Sequence, residues 1–112
     1  LRGITSKVNE RLGTNFNTIL LNKYKDGNDC IGFHRDRETW WAPGSGFATL
    51  AFGAERDFQI KNEASGKVET ISHKNGQVLY SPAPMNAENL HGVPKRKKVN
   101  DCRISLTFRE IV

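Results

Sequence analysis

The stretch from Asn22 to Asp36, NKYKDGNDCIGFHRD, constrains this chain more than any other. It sets His34 and Asp36 at the end of an extended segment with one residue between them, and alternate side chains of a strand share a face. An imidazole and a carboxylate therefore converge on one point. Such a pair is half of a metal site, so the fold has to deliver a further ligand from elsewhere in the chain. Asn89 to Gly92 offers His91, shortly before Pro94 and a run of bases.

Two imidazoles and one carboxylate on one face, with coordination positions left open, form the donor set that suits non-haem Fe(II) oxygenases. A second constellation lies in Cys102 to Arg109, CRISLTFR. Its alternation puts Ile104, Leu106 and Phe108 on one face and Arg103, Ser105, Thr107 and Arg109 on the other. Arg103 and Arg109 lie about 20 Å apart along an ideal strand. They cannot grip one carboxylate together, but they can hold opposite ends of a dicarboxylate if the strand curves and the side chains lean inward. Guanidinium suits that task because its planar fork pairs bidentately with carboxylates and keeps its charge.

The remaining elements follow from periodicity and turn chemistry. Ile4, Val8 and Leu12 recur at helical spacing, with Thr5 or Ser6 as candidate caps and Gly13 as the stop. Thr18–Tyr24 predicts the first strand, and Asp26-Gly27 predicts a hairpin leading to Cys30–His34. Arg35 to Gly46 reads as a long functional loop carrying Trp40 and Trp41, one of which can cover the core. Further strands are predicted at Phe47–Phe52, Arg56–Ile60, Val68–Ile71, Gln77–Tyr80, Asn89–Val93 and Cys102–Arg109. Asn75-Gly76 is a second hairpin signal, Ser81–Pro84 reads as a stiff loop, and His73 as a turn residue without function. Short strands at close spacing imply a mainly β sandwich or barrel. The expected division is a helix over 1–13 packed outside a core over 14–112.

A chain of 112 residues with 37% hydrophobic and 26% charged residues supports one globular core. No apolar run approaches the roughly 20 residues that span a bilayer. The net charge of +5 favours an anionic partner, and Lys95-Arg96-Lys97-Lys98, following His91, carries much of it. Cys30 and Cys102 are too few for a disulfide framework and read as buried free thiols in a reducing compartment. Starting at Leu1 without a signal-peptide pattern, the chain reads as a segment of a longer polypeptide, expected in the cytoplasm, with the nucleus as the alternative.

Asn22-x-Tyr24, His34-x-Asp36, His91 and Arg103-x-x-x-x-x-Arg109 occur in an order that resembles the AlkB family of Fe(II)/2-oxoglutarate-dependent dioxygenases. The resemblance implies a double-stranded β-helix, or jelly roll, with the metal at its mouth. It implies His34, Asp36 and His91 as iron ligands, and Arg103 with Tyr24 on the distal carboxylate of 2-oxoglutarate. It places Arg109 and Asn22 near the proximal carboxylate and Asp36. Glu38 would accept a hydrogen bond from an exocyclic amine of an alkylated base, while Trp40 or Trp41 stacks on it and Arg35 contributes to substrate binding.

The implied reaction is oxidative demethylation of 1-methyladenine or 3-methylcytosine in RNA or single-stranded DNA, using O₂, forming succinate and CO₂ and releasing formaldehyde. The family's substrate-covering lid normally lies upstream of the helix, before this chain begins. The compact form also resembles AlkB-like domains in replication polyproteins of some plant RNA viruses, which implies RNA and a host cytoplasm; a monomeric domain is expected. Two other readings stay open: a hydroxylase of proteins or small molecules on the same fold, and a nucleic-acid-binding module without catalysis.

Overall fold

The alternation of the last strand decides the architecture. In the computed structural model, which describes residues 2–112, α1 (Arg2–Leu12) precedes strands β1 (Thr18–Tyr24), β2 (Ile31–His34), β3 (Phe47–Gly53), β4 (Arg56–Asn62), β5 (Val68–His73) and β6 (Val78–Ser81). A second helix, α2 (Ala83–Glu88), then leads into β7 (Asn89–Val93) and β8 (Arg103–Arg109). The strands form two antiparallel four-stranded sheets, ordered β1-β8-β3-β6 and β2-β7-β4-β5. This is the jelly roll that the sequence implies. Leu1, at the start of the expected N-terminal helix, lies outside the described residues.

β8 runs between β1 and β3, with Phe108 opposite Ile19 and Ala48, and Leu106 opposite Leu21 and Leu50. This apolar face points outward and is closed by α1: Val8, Phe16, Ala48, Leu50, Leu106 and Phe108 form one buried cluster, with Ile4 and Leu12 packed on it. The four-residue spacing read from the sequence is thus the stripe by which α1 seats itself. A second cluster, Tyr24, Phe58, Ile60 and Val93, lies between the sheets. The polar face of β8 consequently points into the barrel.

Several local expectations are corrected. α1 starts at Arg2, so Thr5 and Ser6 lie inside the helix rather than at its N-cap position. Gly13 ends it at φ 67° as expected. Ser81–Pro84 does not remain a loop but opens α2, whose first turn tolerates proline because that backbone N–H has no partner within the helix. Asp26-Gly27 and Asn75-Gly76 are not hairpins, because β1 and β2, and likewise β5 and β6, belong to different sheets. Those dipeptides specify a reversal but not the strand's partner. The hairpin lies instead between β4 and β5, through Gly66 at φ 73°. Cys30 and Cys102 are exposed, each standing just before a strand rather than within it.

Gly27 is buried because another backbone lies against it: its N–H donates to Val99 at 2.8 Å and its carbonyl accepts from Arg96 at 2.8 Å. A Cβ there would overlap the Arg96 carbonyl. Gly27→Ala is expected to lower stability by about 1–3 kcal/mol through overpacking. Gly3→Ala, in open space on α1, should leave stability unchanged or raised. Urea denaturation of both variants checks the contrast.

Candidate active site

Antiparallel pairing of β2 with β7 sets His34 opposite His91, their ring centroids 4.4 Å apart. The register shifts between Ile31 and His34, turning the strand end toward Asp36. Asp36 Oδ1 lies 3.4 Å from His34 Nε2 and 3.6 Å from His91 Nε2, and the donor atoms of the three residues fall within 4.8 Å of one another. The expected ligand set is therefore assembled from three separate positions of the chain.

Each ligand is oriented by a neighbour. His34 Nδ1–H donates to the Gly32 carbonyl at 2.9 Å, which leaves the Nε2 lone pair facing Asp36. His91 packs against Phe47 and Phe58, with centroids 5.3 and 5.7 Å away. Burial pushes its pKa down to about 4; His34 and Arg109 act in the same direction, and Asp36 opposes them. At neutral pH it is an uncharged donor. Asp36 Oδ2 accepts from Arg109 Nη2 at 2.7 Å, so Oδ1 is the oxygen left for a cation. Arg109 lies over the Trp41 ring at 5.8 Å, and Trp41 packs on Phe47 at 6.0 Å. Trp41 is thus the tryptophan that covers the core, while Trp40 is 68% exposed.

Asn86 of α2, 1% exposed, was not legible in the sequence. Its Oδ1 accepts from the Asp36 backbone N–H at 3.1 Å, and its Nδ2 donates to the Asp36 carbonyl at 3.0 Å and to Glu38 Oε2 at 2.6 Å. Glu38 is thereby held beside the ligand loop. Arg35 instead turns toward the protein, donating from Nε to the Asn86 carbonyl at 2.9 Å and pairing with Glu63.

The other end of the cavity is lined by Arg103, and Arg56 lies beside it against Tyr24. Arg56 and Arg103 are each 1% exposed and flank the Tyr24 ring at 5.5 and 5.8 Å. Arg56 donates to the carbonyls of Asp26, Asp29 and Pro94. Arg103 donates to the His73 carbonyl at 3.1 Å and to His73 Nδ1 at 2.9 Å. Neither pairs with a carboxylate among the described residues, and the Nε atoms of Arg56 and Arg103 are buried without a partner, as is Arg109 Nε. Burial raises the Tyr24 pKa, against the charges of Arg103 and Arg56 and a hydrogen bond with Ser105. An open-mouthed cavity runs from Tyr24 and Arg103 past Asn22 to His34, Asp36 and His91.

The Lys95–Lys98 run does not flank the metal ligands as its place after His91 suggests. Arg96 is stitched to the Gly27 corner and pairs with Glu55 at 3.8 Å, and Pro94 is held by Arg56. It belongs to the Tyr24–Arg103 end.

A family model described as the 2OG-Fe(II) oxygenase superfamily matches residues 2–109. The chain is 42% identical over 120 residues to human DNA oxidative demethylase ALKBH2, covering all of this chain and 46% of that protein. It is 29% identical to rat alpha-ketoglutarate-dependent dioxygenase alkB homolog 3, covering 96% of this chain and 40% of the relative. The solved structure of OsALKBH1 shares the fold at a TM-score of 0.68 and 18% identity, covering 96% of this chain and 61% of that one. The chain spans about half the length of the ALKBH2 relatives it matches.

With its donor set and its jelly roll, the chain belongs to the 2OG-Fe(II) oxygenase superfamily. Within that superfamily it is AlkB-like. The family implies Fe(II) and 2-oxoglutarate, and the residues fit both. Two imidazole nitrogens and one free carboxylate oxygen suit Fe(II). A buried pair of arginines without carboxylate partners among the described residues, both with an orphaned Nε and one of them, Arg103, on the cavity wall, suits a dicarboxylate.

Arg109→Met should weaken Mn(II) binding about 10- to 100-fold by releasing Asp36, and Asp36→Ala should abolish it, both read by anaerobic calorimetry. In metal-free protein, unfolded His91 takes up a proton near pH 6.5, while the folded residue resists protonation down to about 4. Its contribution to stability is therefore complete above pH 6.5 and lost as pH falls toward 4. His73, whose pKa burial also lowers, acts with the same sign. Melting midpoints across that window should fall, and less steeply with Mn(II) present.

Proposed function

We propose that this chain carries the oxidative demethylase activity that the name of its ALKBH2 relatives describes, acting on N-methylated bases of the 1-methyladenine and 3-methylcytosine type. DNA is the favoured polymer because those relatives are named as DNA demethylases; methylated RNA is the alternative to be measured beside it. The observation that carries the reading is one cavity with a His-Asp-His donor cluster at one end and an unpaired buried guanidinium edge at the other.

When bound, iron and 2-oxoglutarate supply the oxidation of a methyl C–H by O₂, with succinate, CO₂ and formaldehyde as the released products. The chain's own residues do the rest. Arg109 holds Asp36 to one free oxygen. Arg103 and Tyr24 receive the distal carboxylate, and Asn22 and Arg109 line the wall nearer the metal. A base buried in a duplex cannot reach this cavity, so it enters unpaired or flipped. Glu38, fixed by Asn86, accepts from the exocyclic amine, and exposed Trp40 stacks on the base or its neighbour. Arg35, engaged with Asn86 and Glu63, supports the ligand loop in this reading rather than touching substrate.

Mass spectrometry of methylated DNA and RNA oligonucleotides after incubation with Fe(II) and 2-oxoglutarate tests the proposal. The unmodified base and formaldehyde are expected from the native chain, and neither from Asp36→Ala. Glu38→Ala should raise the oligonucleotide KM about 10- to 100-fold, the equivalent of one charge-assisted hydrogen bond, without changing the 2-oxoglutarate KM. Succinate formation indifferent to every methylated oligonucleotide would move the activity to another substrate.

A further inference from the structure

β5 is an exposed edge strand from Val68 to Ser72, and only its last residue, His73, is buried, at 0% exposure. It stands opposite Arg56 in the ladder and makes no part of the cavity lining. Nothing in the metal site touches it. Two of its hydrogen bonds are with Arg103: the His73 carbonyl accepts from Nη1 at 3.1 Å and Nδ1 accepts from Nη2 at 2.9 Å.

A guanidinium offers two edges to paired acceptors, the end formed by both Nη atoms and the side formed by Nε with one Nη. His73 occupies the end with its backbone and its imidazole together. The side edge remains, and its Nε is buried and unpartnered. The imidazole accepts at Nδ1 only with the proton on Nε2, and Nε2 donates to the Gln77 carbonyl at 2.8 Å. Burial, with the Arg103 charge adding to it, keeps the ring uncharged and so able to accept.

We infer that His73 is a positioning residue for the cosubstrate, turning the Arg103 guanidinium so that its Nε edge faces the distal carboxylate of 2-oxoglutarate. The inference rests on the proposed role of Arg103. It makes cosubstrate affinity depend on a residue that never touches the cosubstrate.

The test uses the full chain loaded with Fe(II) under anaerobic conditions, titrated with 2-oxoglutarate and with 2-oxobutyrate, which lacks the distal carboxylate. His73→Leu and His73→Phe remove the acceptor while filling the space. Each should raise the Kd for 2-oxoglutarate about 10-fold, the scale of one lost hydrogen bond, and leave 2-oxobutyrate binding unchanged. In turnover, the KM for 2-oxoglutarate should rise while kcat at saturation and the oligonucleotide KM stay within about twofold. His73→Gln, whose amide oxygen can accept, should restore most of the affinity.

Arg103→Met separates the two levels of the reading. If it leaves 2-oxoglutarate affinity intact, the assignment of Arg103 itself is wrong. If it weakens binding while the His73 variants do not, or if they weaken both keto acids equally, the inference about His73 is overturned. Loss of cooperative melting in both apolar variants also overturns it, since His73 would then serve the fold rather than the cosubstrate.

Discussion

The inward orientation of β8's polar face is the constraint on which the rest of the molecule depends. A strand between two neighbours in a small barrel would ordinarily turn its apolar side to the interior. Here Ile104, Leu106 and Phe108 face out, and α1 is required to cover them. Arg103, Ser105, Thr107 and Arg109 face in, where unpaired polar groups are costly. The interior is therefore organised around satisfying them: Asp36 meets Arg109, His73 meets Arg103, and Tyr24 meets Ser105. The Nε atoms of Arg103, Arg109 and Arg56 are left unsatisfied among the described residues, and the first two belong to residues that line the cavity, where a ligand can meet them.

Charge is segregated along that interior. At one end a single carboxylate sits between two imidazoles and one guanidinium; at the other, two guanidiniums share the faces of one tyrosine and lean only on carbonyls and an uncharged ring. Burial lowers the Arg103 pKa, opposed by Tyr24 and reinforced by Arg56. A cation at the first end and a dicarboxylate reaching toward the second complement this distribution simultaneously, and each reduces the cost of leaving the other's partners buried.

The parts of the site governed by period-two alternation were legible in the sequence. The Arg103–Arg109 face follows from strand geometry, His34-x-Asp36 and His91 were legible as a donor set although Asp36 lies just past the end of β2, and the resemblance supplied the jelly roll. The parts set by tertiary pairing were not. Arg56 looks like any charged residue opening a strand, yet it is buried on three carbonyls. His73 meets a partner 30 positions away. The Asp-Gly and Asn-Gly dipeptides announce turns, but whether the next strand pairs with the last or crosses to the facing sheet is settled by β8 and β7, which come later in the chain. Both cysteines seemed buried because a strand end is invisible at the resolution of apolar patterning.

α2 shows why a short helix with no apolar period can matter more than its length suggests. Its six residues are too few for an amphipathic stripe, and prolines at its start read as a loop. Yet Asn86 from this helix binds both backbone groups of Asp36 and the Glu38 carboxylate with one amide. A displacement of the Glu38 carboxylate is thereby transmitted to Asp36. Because the amide is 1% exposed, water cannot substitute for either contact without opening the packing beneath α2. The backbone that carries Asp36 and the carboxylate of Glu38 are consequently tied to α2 through one side chain, just beyond the end of β2 that holds His34.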